Sequence, residues 1–272
     1  MRFSSDQIQK IGKEISSKVD GKTLFDEFSR GRYSTDASVY QIKPLGVVLP
    51  KDTNDVLNLM EYSQKNSIPL LARGGGSSQC GQTVGESIVL DYSKHQNKIL
   101  ELNVEEKYVW VQPGVVLDHL NSFLRPYGLW FPVEVSTSSR ATIGGMSANN
   151  SCGSRSLYYG NMVHNVLAIE AILDDGSLHT FDQINKNYLT TTNNQDRFYK
   201  IIDKFLNLRQ KVSKDIDENW PTTQRRVGGY NIDLIDHNGF NSSNLLVGSE
   251  GTLSLFNKIK FCLLYTSPSP RD

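Results

Sequence analysis

Several features are scarce in this 272-residue sequence, and each scarcity excludes a class of protein. Lysine and arginine together number 29, as do aspartate and glutamate, so no basic excess favours nucleic-acid binding. No apolar run approaches the roughly 20 residues that a membrane-spanning helix needs. The N-terminal MRFSSDQIQK lacks the apolar core of a signal peptide. These absences predict a cytoplasmic protein without a transmembrane segment, with a peripheral position at the inner membrane left open.

Cysteine is equally scarce. Cys80, Cys152 and Cys262 lie far apart and form no C-x-x-C pair. This spacing excludes a disulfide framework and a metal knuckle. The histidines are scattered along the chain and match no zinc pattern. We therefore predict that this sequence holds no metal.

Two glycine-rich loops are the most informative feature present. The first is RGGGSS at 73–78 and the second is SSRATIGGMSANNSCG at 138–153. Glycine lets the backbone approach a ligand closely, and successive free N–H groups bind anions. RGGGSS lacks both the GK[ST] ending of a P-loop and the G-x-G-x-x-G of a Rossmann fold. The two loops together predict a diphosphate cofactor held by backbone groups; the alternative is a pair of glycine-rich surface turns.

The spacing of apolar residues predicts the order of helices and strands. It indicates an amphipathic helix over 5–19, followed by a loop over 25–40. A β-α-β unit over 47–72 would deliver RGGGSS to the C-terminal end of a strand, a usual place for ligands. A short strand is predicted over 245–247. The overall prediction is an α+β protein made of two subdomains with a ligand between them.

Four motifs follow one another along the chain: RGGGSS, PVEVSTSSRATIGGMSANNSCG, YGNMVHNVLAIEAILDDG and VGSEGTL. In this order, over about residues 38–260, the sequence resembles the FAD-binding domain of the vanillyl-alcohol oxidase and p-cresol methylhydroxylase (PCMH) superfamily. It is most similar to the FAD-linked D-lactate, glycolate and D-2-hydroxyglutarate dehydrogenases. RRVGGYNIDLI at 225–235 is similar to their long members, in which an iron–sulfur domain follows. The resemblance implies a PCMH-type fold with FAD between two α/β subdomains.

The resemblance also divides the chain. It implies an N-terminal helical extension at 1–37, a first FAD-binding subdomain at 38–133 and a second, truncated subdomain at 134–261. The last segment, CLLYTSPSPRD at 262–272, resembles the translation of a sequencing adapter, and a genuine tail is the alternative. We therefore expect the native sequence to stop near Phe261 and the substrate domain to be missing.

The resemblance implies that both loops and several later residues bind FAD. The implied cofactor-binding residues are Arg73, Gly74, Gly75, Gly76, Ser77, Ser78, Thr137, Thr142, Gly144, Gly145, Asn149, Gly153, Tyr159, Gly160, Ile169, Glu250 and Gly251. Members with covalent flavin carry histidine where this chain has Ser77, so we predict non-covalent FAD. Attachment at Cys152 is the alternative.

The chemistry implied is oxidation of a D-2-hydroxy acid by hydride transfer to FAD. No catalytic residue is assigned, because in similar proteins the base is a histidine in the C-terminal domain. An iron–sulfur cluster would also belong to that missing part. The electron acceptor, whether quinone, cytochrome or electron-transfer protein, stays open. The alternatives are a sugar or aldonolactone oxidase and a non-catalytic FAD-binding subunit of a larger complex.

Five further residues have two interpretations each. His164 is a base or flavin contact or, as we favour, a structural residue. Glu134 contacts the cofactor or is a solvated carboxylate at the end of a strand. Arg73 pairs with phosphate or, as we favour, braces its loop. Tyr230 and Asn231 face the substrate side, or Tyr230 is a core residue with a bonded hydroxyl.

Overall fold

The computed structural model describes residues 3–185, 188 and 196–266. Its helices are α1 (Ser5–Ser16), α2 (Glu27–Arg32), α3 (Thr53–Asn66), α4 (Leu117–Leu124), α5 (Ile143–Asn149), α6 (Ser156–Tyr159), α7 (Met162–Asn165), α8 (Arg197–Lys211) and α9 (Ser213–Asn219). Its strands are β1 (Lys22–Leu24), β2 (Gly46–Leu49), β3 (Leu70–Arg73), β4 (Ile88–Asp91), β5 (Ile99–Asn103), β6 (Tyr108–Val111), β7 (Leu129–Trp130), β8 (Val166–Ile172), β9 (Leu178–Phe181), β10 (Gln183–Asn185), β11 (Gly239–Asn241), β12 (Leu255–Cys262) and β13 (Leu264–Tyr265).

The first sheet has the strand order β1-β2-β4-β3. Strands β2, β4 and β3 are parallel, and β1 pairs antiparallel with β2. Every residue of β2 and β4 is buried, as expected of parallel strands that are covered on both faces. Helix α3 connects β2 to β3, and its Val56 and Leu59 share an apolar cluster with Ile88 and Leu90 of β4. The predicted β-α-β unit is therefore present, and β3 ends directly before the second residue of RGGGSS.

Helix α1 packs against this sheet through the predicted apolar stripe. Ser4 caps the helix and forms a capping box at its start. Ile8, Ile11 and Ile15 are buried in the same apolar cluster as α3. The helix ends at Ser16, so the prediction extended it too far at the C-terminal end.

The second sheet is antiparallel throughout and has the order β5-β6-β12-β8-β9. Its apolar side chains form one cluster with those of α4, α5 and α8. Phe131 and Phe261 are almost completely buried in this cluster, with ring centroids 4.5 Å apart. The segment that leads into the second glycine-rich loop is packed within this cluster. The start of that loop is therefore held in place by the core.

The two sheets divide the chain differently from the boundaries predicted from the motifs. Strands β5 and β6, placed in the first subdomain by the prediction, belong to the second sheet, where β6 pairs with both β5 and β12. Strand β1, placed in the N-terminal extension, pairs with β2 in the first sheet. Antiparallel pairing between residues more than a hundred positions apart leaves no local signal in the sequence.

Two local predictions were wrong. Helix α2 lies within the predicted loop at 25–40, because Asp26 caps it by accepting from the backbone N–H of Ser29 at 2.9 Å. The strand predicted at 245–247 is absent, and the described residues Ser242–Leu245 instead form a 3₁₀ helix that Asn241 caps. Leu246 and Val247 are still buried. Their apolar character indicated burial correctly but not backbone conformation.

The C-terminal residues lie against the body of the protein as far as they are described. Cys262 ends β12, and β13 pairs antiparallel with β7. Residues 267–272 lie outside the described residues, as do 1–2 of the N-terminal extension. The origin of the segment at 262–272 stays a prediction.

Replacing Asp55 should destabilise the first sheet. Asp55 is buried, and its carboxylate accepts hydrogen bonds from the backbone N–H groups of Asp20, Gly21 and Lys51 at 2.7, 2.9 and 2.7 Å. Asp55→Ala leaves these donors unpaired, so we expect the free energy of unfolding to fall by about 2–4 kcal/mol. Urea denaturation measures the change, with the exposed Glu61→Ala of the same helix as control. Equal effects of the two substitutions would contradict the prediction.

Candidate functional site

A cavity of about 980 Å³ lies where the C-terminal end of β3 meets the loop that leads into α5. This volume is at the upper end of the range for sites of small molecules and cofactors. Both glycine-rich loops line it, together with the GSEG turn at 248–251. Three segments that are distant in sequence thus converge on one site.

The first loop presents unpaired backbone donors to the cavity. No backbone N–H from Gly75 to Ser78 donates a hydrogen bond within the described part of the chain. Gly76 has a φ of +62°, which glycine adopts without steric cost. Its carbonyl accepts from the backbone N–H of Ala37 at 3.1 Å, which anchors the turn. This arrangement suits a phosphate group, because successive N–H groups supply partial positive charge without a side chain.

The two glycine-rich loops are in direct contact. A Cβ atom on Gly74 would lie 2.0 Å from Thr142 Oγ1, and one on Gly75 would lie 2.2 Å from the carbonyl oxygen of Arg140. On the other side of the cavity, a Cβ on Gly153 would lie 2.0 Å from the carbonyl oxygen of Glu134. Only glycine permits contacts as close as these. The three glycines therefore determine how near the segments around the cavity lie to one another.

Arg73 braces the first loop, as favoured from the sequence. Its guanidinium donates to the carbonyl oxygens of Thr35 at 2.8 Å, Thr83 at 3.1 Å and Tyr33 at 3.4 Å. It also lies 5.3 Å from the centroid of the Tyr33 ring. The side chain lines the cavity, but these contacts use most of its donors. Its principal effect is therefore to fix the position of the loop.

A set of polar side chains links the three segments along the exposed rim of the cavity. Glu250 accepts hydrogen bonds from Gln82 Nε2 at 2.8 Å and from Asn149 Nδ2 at 3.0 Å. Ser78 in turn donates to Gln82 Oε1. The backbone of Glu250 has a φ of +50°, between Gly248 and Gly251, which also have positive φ. This turn directs the Glu250 carboxylate toward both loops. Glu250 therefore links the two loops through hydrogen bonds.

Glu134 forms part of another cavity wall. It accepts a hydrogen bond from Ser154 and pairs with Arg155, whose Nε lies 3.4 Å from Glu134 Oε2. Arg155 also lies over the Trp130 ring at 4.9 Å from the centroid. Glu134 is therefore a paired carboxylate in the wall and not an isolated solvated one.

Most of the residues implied by the sequence motifs line this cavity. They are Arg73, Gly74, Gly75, Gly76, Ser77, Ser78, Thr137, Thr142, Gly144, Gly145, Asn149, Gly153, Glu250 and Gly251. Sequence reasoning did not single out Tyr92, Pro113, Asp118, Asn121, Ser254 or Phe256, which also line it. None of these residues stands in a glycine-rich motif, so no local signal marks them.

Three implied residues are not among the lining residues. Tyr159 packs edge-on against the cavity residue Trp130, with ring centroids 5.5 Å apart, and Gly160 follows it. Ile169 is completely buried in the middle of β8, where it pairs with Ile259 on one side and Phe181 on the other. Its strand has neighbours on both sides, so its backbone has no free edge to offer a ligand.

The remaining candidates have structural contacts. The Asn231 side chain is buried and donates to the carbonyl oxygen of Val247 at 2.7 Å. The Tyr230 hydroxyl is bonded to Thr252 Oγ1 at 2.8 Å, although the ring is half exposed rather than in the core. His164 Nδ1 accepts from the backbone N–H of Asn161 at 3.0 Å, at the start of α7. This supports the structural interpretation of His164.

The sequence model of a family described as FAD binding domain matches residues 44–182. This chain belongs to that family. The matched range includes β2 to β9 and both glycine-rich loops, which line the cavity. The residues fit FAD, because the unpaired N–H groups of the first loop suit a diphosphate and the cavity of about 980 Å³ has room for a cofactor.

Two curated relatives are similar to this chain. D-2-hydroxyglutarate dehydrogenase of Haemophilus influenzae is 37% identical over 247 residues, which make up 85% of this chain and 24% of that protein. Glycolate oxidase subunit GlcD of Bacillus subtilis is 34% identical over 175 residues, which make up 63% of this chain and 37% of that protein. The matched part of the chain thus spans about a quarter of the length of the first relative and somewhat more than a third of the second.

A structure of alkyldihydroxyacetonephosphate synthase shares the fold. It superposes with a TM-score of 0.67 at 17% sequence identity, covering 96% of this chain and 41% of that one. This likeness confirms the predicted α+β, PCMH-type FAD-binding fold. Within the described residues, no helix is long and apolar enough to cross a membrane, and no group of three histidine, cysteine or acidic side chains could hold a metal ion.

A methyl group at Gly75 should weaken FAD binding. Gly75→Ala would force the first loop away from the Arg140 carbonyl oxygen and widen the cavity. We expect the FAD dissociation constant to rise roughly tenfold or more, since overpacking costs about 1–3 kcal/mol. Quenching of flavin fluorescence during titration measures it. Gly85→Ala is the matched control, because a Cβ atom at Gly85 would meet other atoms only at 3.6 Å or beyond. This substitution should leave the FAD dissociation constant unchanged.

Stability should depend on pH through His164. Burial, followed by the charge of Arg226, lowers the pKa of His164 below its ordinary value. The folded protein therefore binds its proton less readily than the unfolded chain, so stability is full above the unfolded pKa and falls as the pH falls below it. His164→Gln should flatten the loss of stability between about pH 7 and pH 5. Thermal melts at several pH values measure this change in stability. The control substitution His237→Gln, at an exposed histidine, should leave the dependence of stability on pH unchanged.

Proposed function

We propose that this chain is the FAD-binding part of a longer enzyme that oxidises a D-2-hydroxy acid. The substrate would be of the D-lactate, glycolate or D-2-hydroxyglutarate type. The main support is the 37% identity to a D-2-hydroxyglutarate dehydrogenase over 85% of this chain. When bound, FAD accepts a hydride from the carbon that carries the hydroxyl group.

The residues of this chain would bind and orient the cofactor. The N–H groups of Gly75 to Ser78 would hold the diphosphate, and the linked side chains of Gln82, Glu250 and Asn149 would keep the rim closed around it. Removal of the substrate proton would fall to a base outside this chain. Any iron–sulfur cluster would likewise belong to the remaining part, and the electron acceptor, whether quinone, cytochrome or electron-transfer protein, stays open. A cytoplasmic location, with a peripheral position at the inner membrane left open, belongs to the same proposal.

We further propose that the FAD is not covalently attached. Ser77 lines the cavity at the position where histidine attaches flavin in similar proteins, and a serine hydroxyl does not form that bond. Cys152 also lines the cavity, half buried, and is the remaining candidate for attachment. Residues 38–133 and 134–261 together would form the FAD-binding part, with 262–272 contributing nothing to it.

Acid precipitation of the purified protein tests the mode of attachment. We expect a visible flavin spectrum before acid treatment, and flavin in the supernatant afterwards, since only protein contacts hold it. Chromatography of the supernatant should show FAD and not FMN. Flavin that stays with the pellet would mean covalent attachment, and loss of that colour in Cys152→Ser would assign it to Cys152. A folded protein that binds no added FAD would overturn the proposed function.

The substrate class needs the longer polypeptide. Anaerobic mixing of the flavin-loaded enzyme with D-2-hydroxyglutarate, D-lactate or glycolate should bleach the flavin absorbance with at least one of the three. The L-enantiomers of the first two acids serve as controls and should not bleach it. Bleaching only by a sugar or an aldonolactone would favour an oxidase of that type. No bleaching by any of these compounds would favour a non-catalytic FAD-binding subunit.

A further inference from the structure

The loop that follows β3 is held in place by contacts from outside the loop. From Gly75 to Thr83, no backbone N–H donates to a backbone carbonyl oxygen within the described part of the chain. A loop that keeps its N–H groups free for an anion cannot be fixed by those groups. Its conformation before the ligand binds therefore depends on another segment. A loop that is ordered in advance binds its ligand more tightly, because less conformational freedom is lost on binding.

The segment in contact with the loop is residues 35–37, from the N-terminal part of the chain. The carbonyl oxygen of Thr35 accepts a hydrogen bond from the Arg73 guanidinium at 2.8 Å, where the loop begins. The backbone N–H of Ala37 donates to the carbonyl oxygen of Gly76 at 3.1 Å, near the middle of the free N–H groups. These two contacts fix the first half of the loop.

Asp36 lies between these two contacts and holds the far end of the loop. One oxygen of its carboxylate accepts a hydrogen bond from Thr83 Oγ1 at 2.9 Å, and the other accepts from the backbone N–H of Ser38 at 2.8 Å. The carbonyl oxygen of Thr83 accepts from Arg73 at 3.1 Å. Thr83 is therefore held through both its side chain and its backbone, so the loop is tied at its end as well as at its start.

The 35–37 segment is itself anchored to the first sheet. The hydroxyl of Tyr33 donates to Asp91 Oδ2 at 2.6 Å, and Asp91 is buried at the end of β4. The carbonyl oxygen of Ser34 accepts from the backbone N–H of Ile42 at 2.9 Å. The sequence model of the FAD-binding family matches only from residue 44, so this anchored segment lies outside the matched range.

We propose that Asp36 is a positioning residue for FAD, which holds the first loop, through Thr83, in the conformation that receives the diphosphate. This inference rests on the proposed FAD site and adds to it a residue that does not line the cavity. The negative charge of Asp36 by itself disfavours a diphosphate nearby. Weaker binding after its removal would therefore report the position of the loop and not the loss of a charge.

The test measures FAD binding to the purified chain freed of flavin. FAD is titrated by quenching of flavin fluorescence, and ADP, which carries the same diphosphate, is measured by competition. Asp36→Ala and Thr83→Val each break the hydrogen bond between the two side chains. We expect each to raise both dissociation constants by about threefold to tenfold, the loss of one hydrogen bond. Thr83→Ser keeps the hydroxyl and should bind both ligands as the wild type does.

A double variant and a matched control separate positioning from general stability. Asp36→Ala combined with Thr83→Val should bind FAD no more weakly than either single variant, because both substitutions break the same bond. Asp26→Ala is the control: Asp26 also lies in the N-terminal part and accepts a backbone N–H, that of Ser29 at 2.9 Å, but neither residue lines the cavity. It should lower the melting temperature without changing the affinity for FAD.

The outcomes separate this inference from the proposed function. If the wild-type chain binds FAD and both single variants bind it equally well or more tightly, the role of Asp36 is overturned and the FAD site stands. Additive losses in the double variant would mean that Thr83 acts on the cofactor independently of Asp36, which also overturns the role. If Asp36→Ala does not fold, equal affinities of Thr83→Val and Thr83→Ser overturn it. If the folded wild-type chain binds neither FAD nor ADP, both the role and the proposed function fail.

Discussion

The structure depends on the contact between the backbones of two loops that start from different sheets. Gly74 and Gly75 lie so close to Thr142 and to the Arg140 carbonyl oxygen that any side chain would push the loops apart. The first loop can occupy this position because β3 lies at one edge of a buried parallel sheet, and the second because β12 and the helices of the other cluster hold its base. The cavity exists because the two loops meet at one place.

Charged side chains in this region mainly hold the protein together. Asp55 anchors three backbone N–H groups at the edge of the first sheet, Arg73 binds three carbonyl oxygens behind the first loop, and Glu250 joins Gln82 to Asn149. The donors that face the diphosphate position are neutral backbone groups instead. Such donors are fixed by the fold and need no reorganisation when an anion binds.

The cavity wall differs in exposure along its length. Tyr92 and Phe256 in this wall are buried, whereas Glu250 at its rim is exposed. The cavity is formed within a chain that spans about a quarter of the length of a relative.

The local sequence determined helices α1 and α3, the β-α-β unit that contains α3, and the two glycine-rich loops. These features depend on the spacing of apolar residues and on runs of glycine, which are visible within a few neighbouring residues. The local sequence also identified most of the cavity residues, from Arg73 to Gly251. It did not identify helix α2, the 3₁₀ turn before Val247 or the pairing of β6 with β12. Only the tertiary structure brought Tyr92 and Ser254 to one cavity and buried Ile169 between two strands, because those positions depend on contacts between residues far apart in the chain.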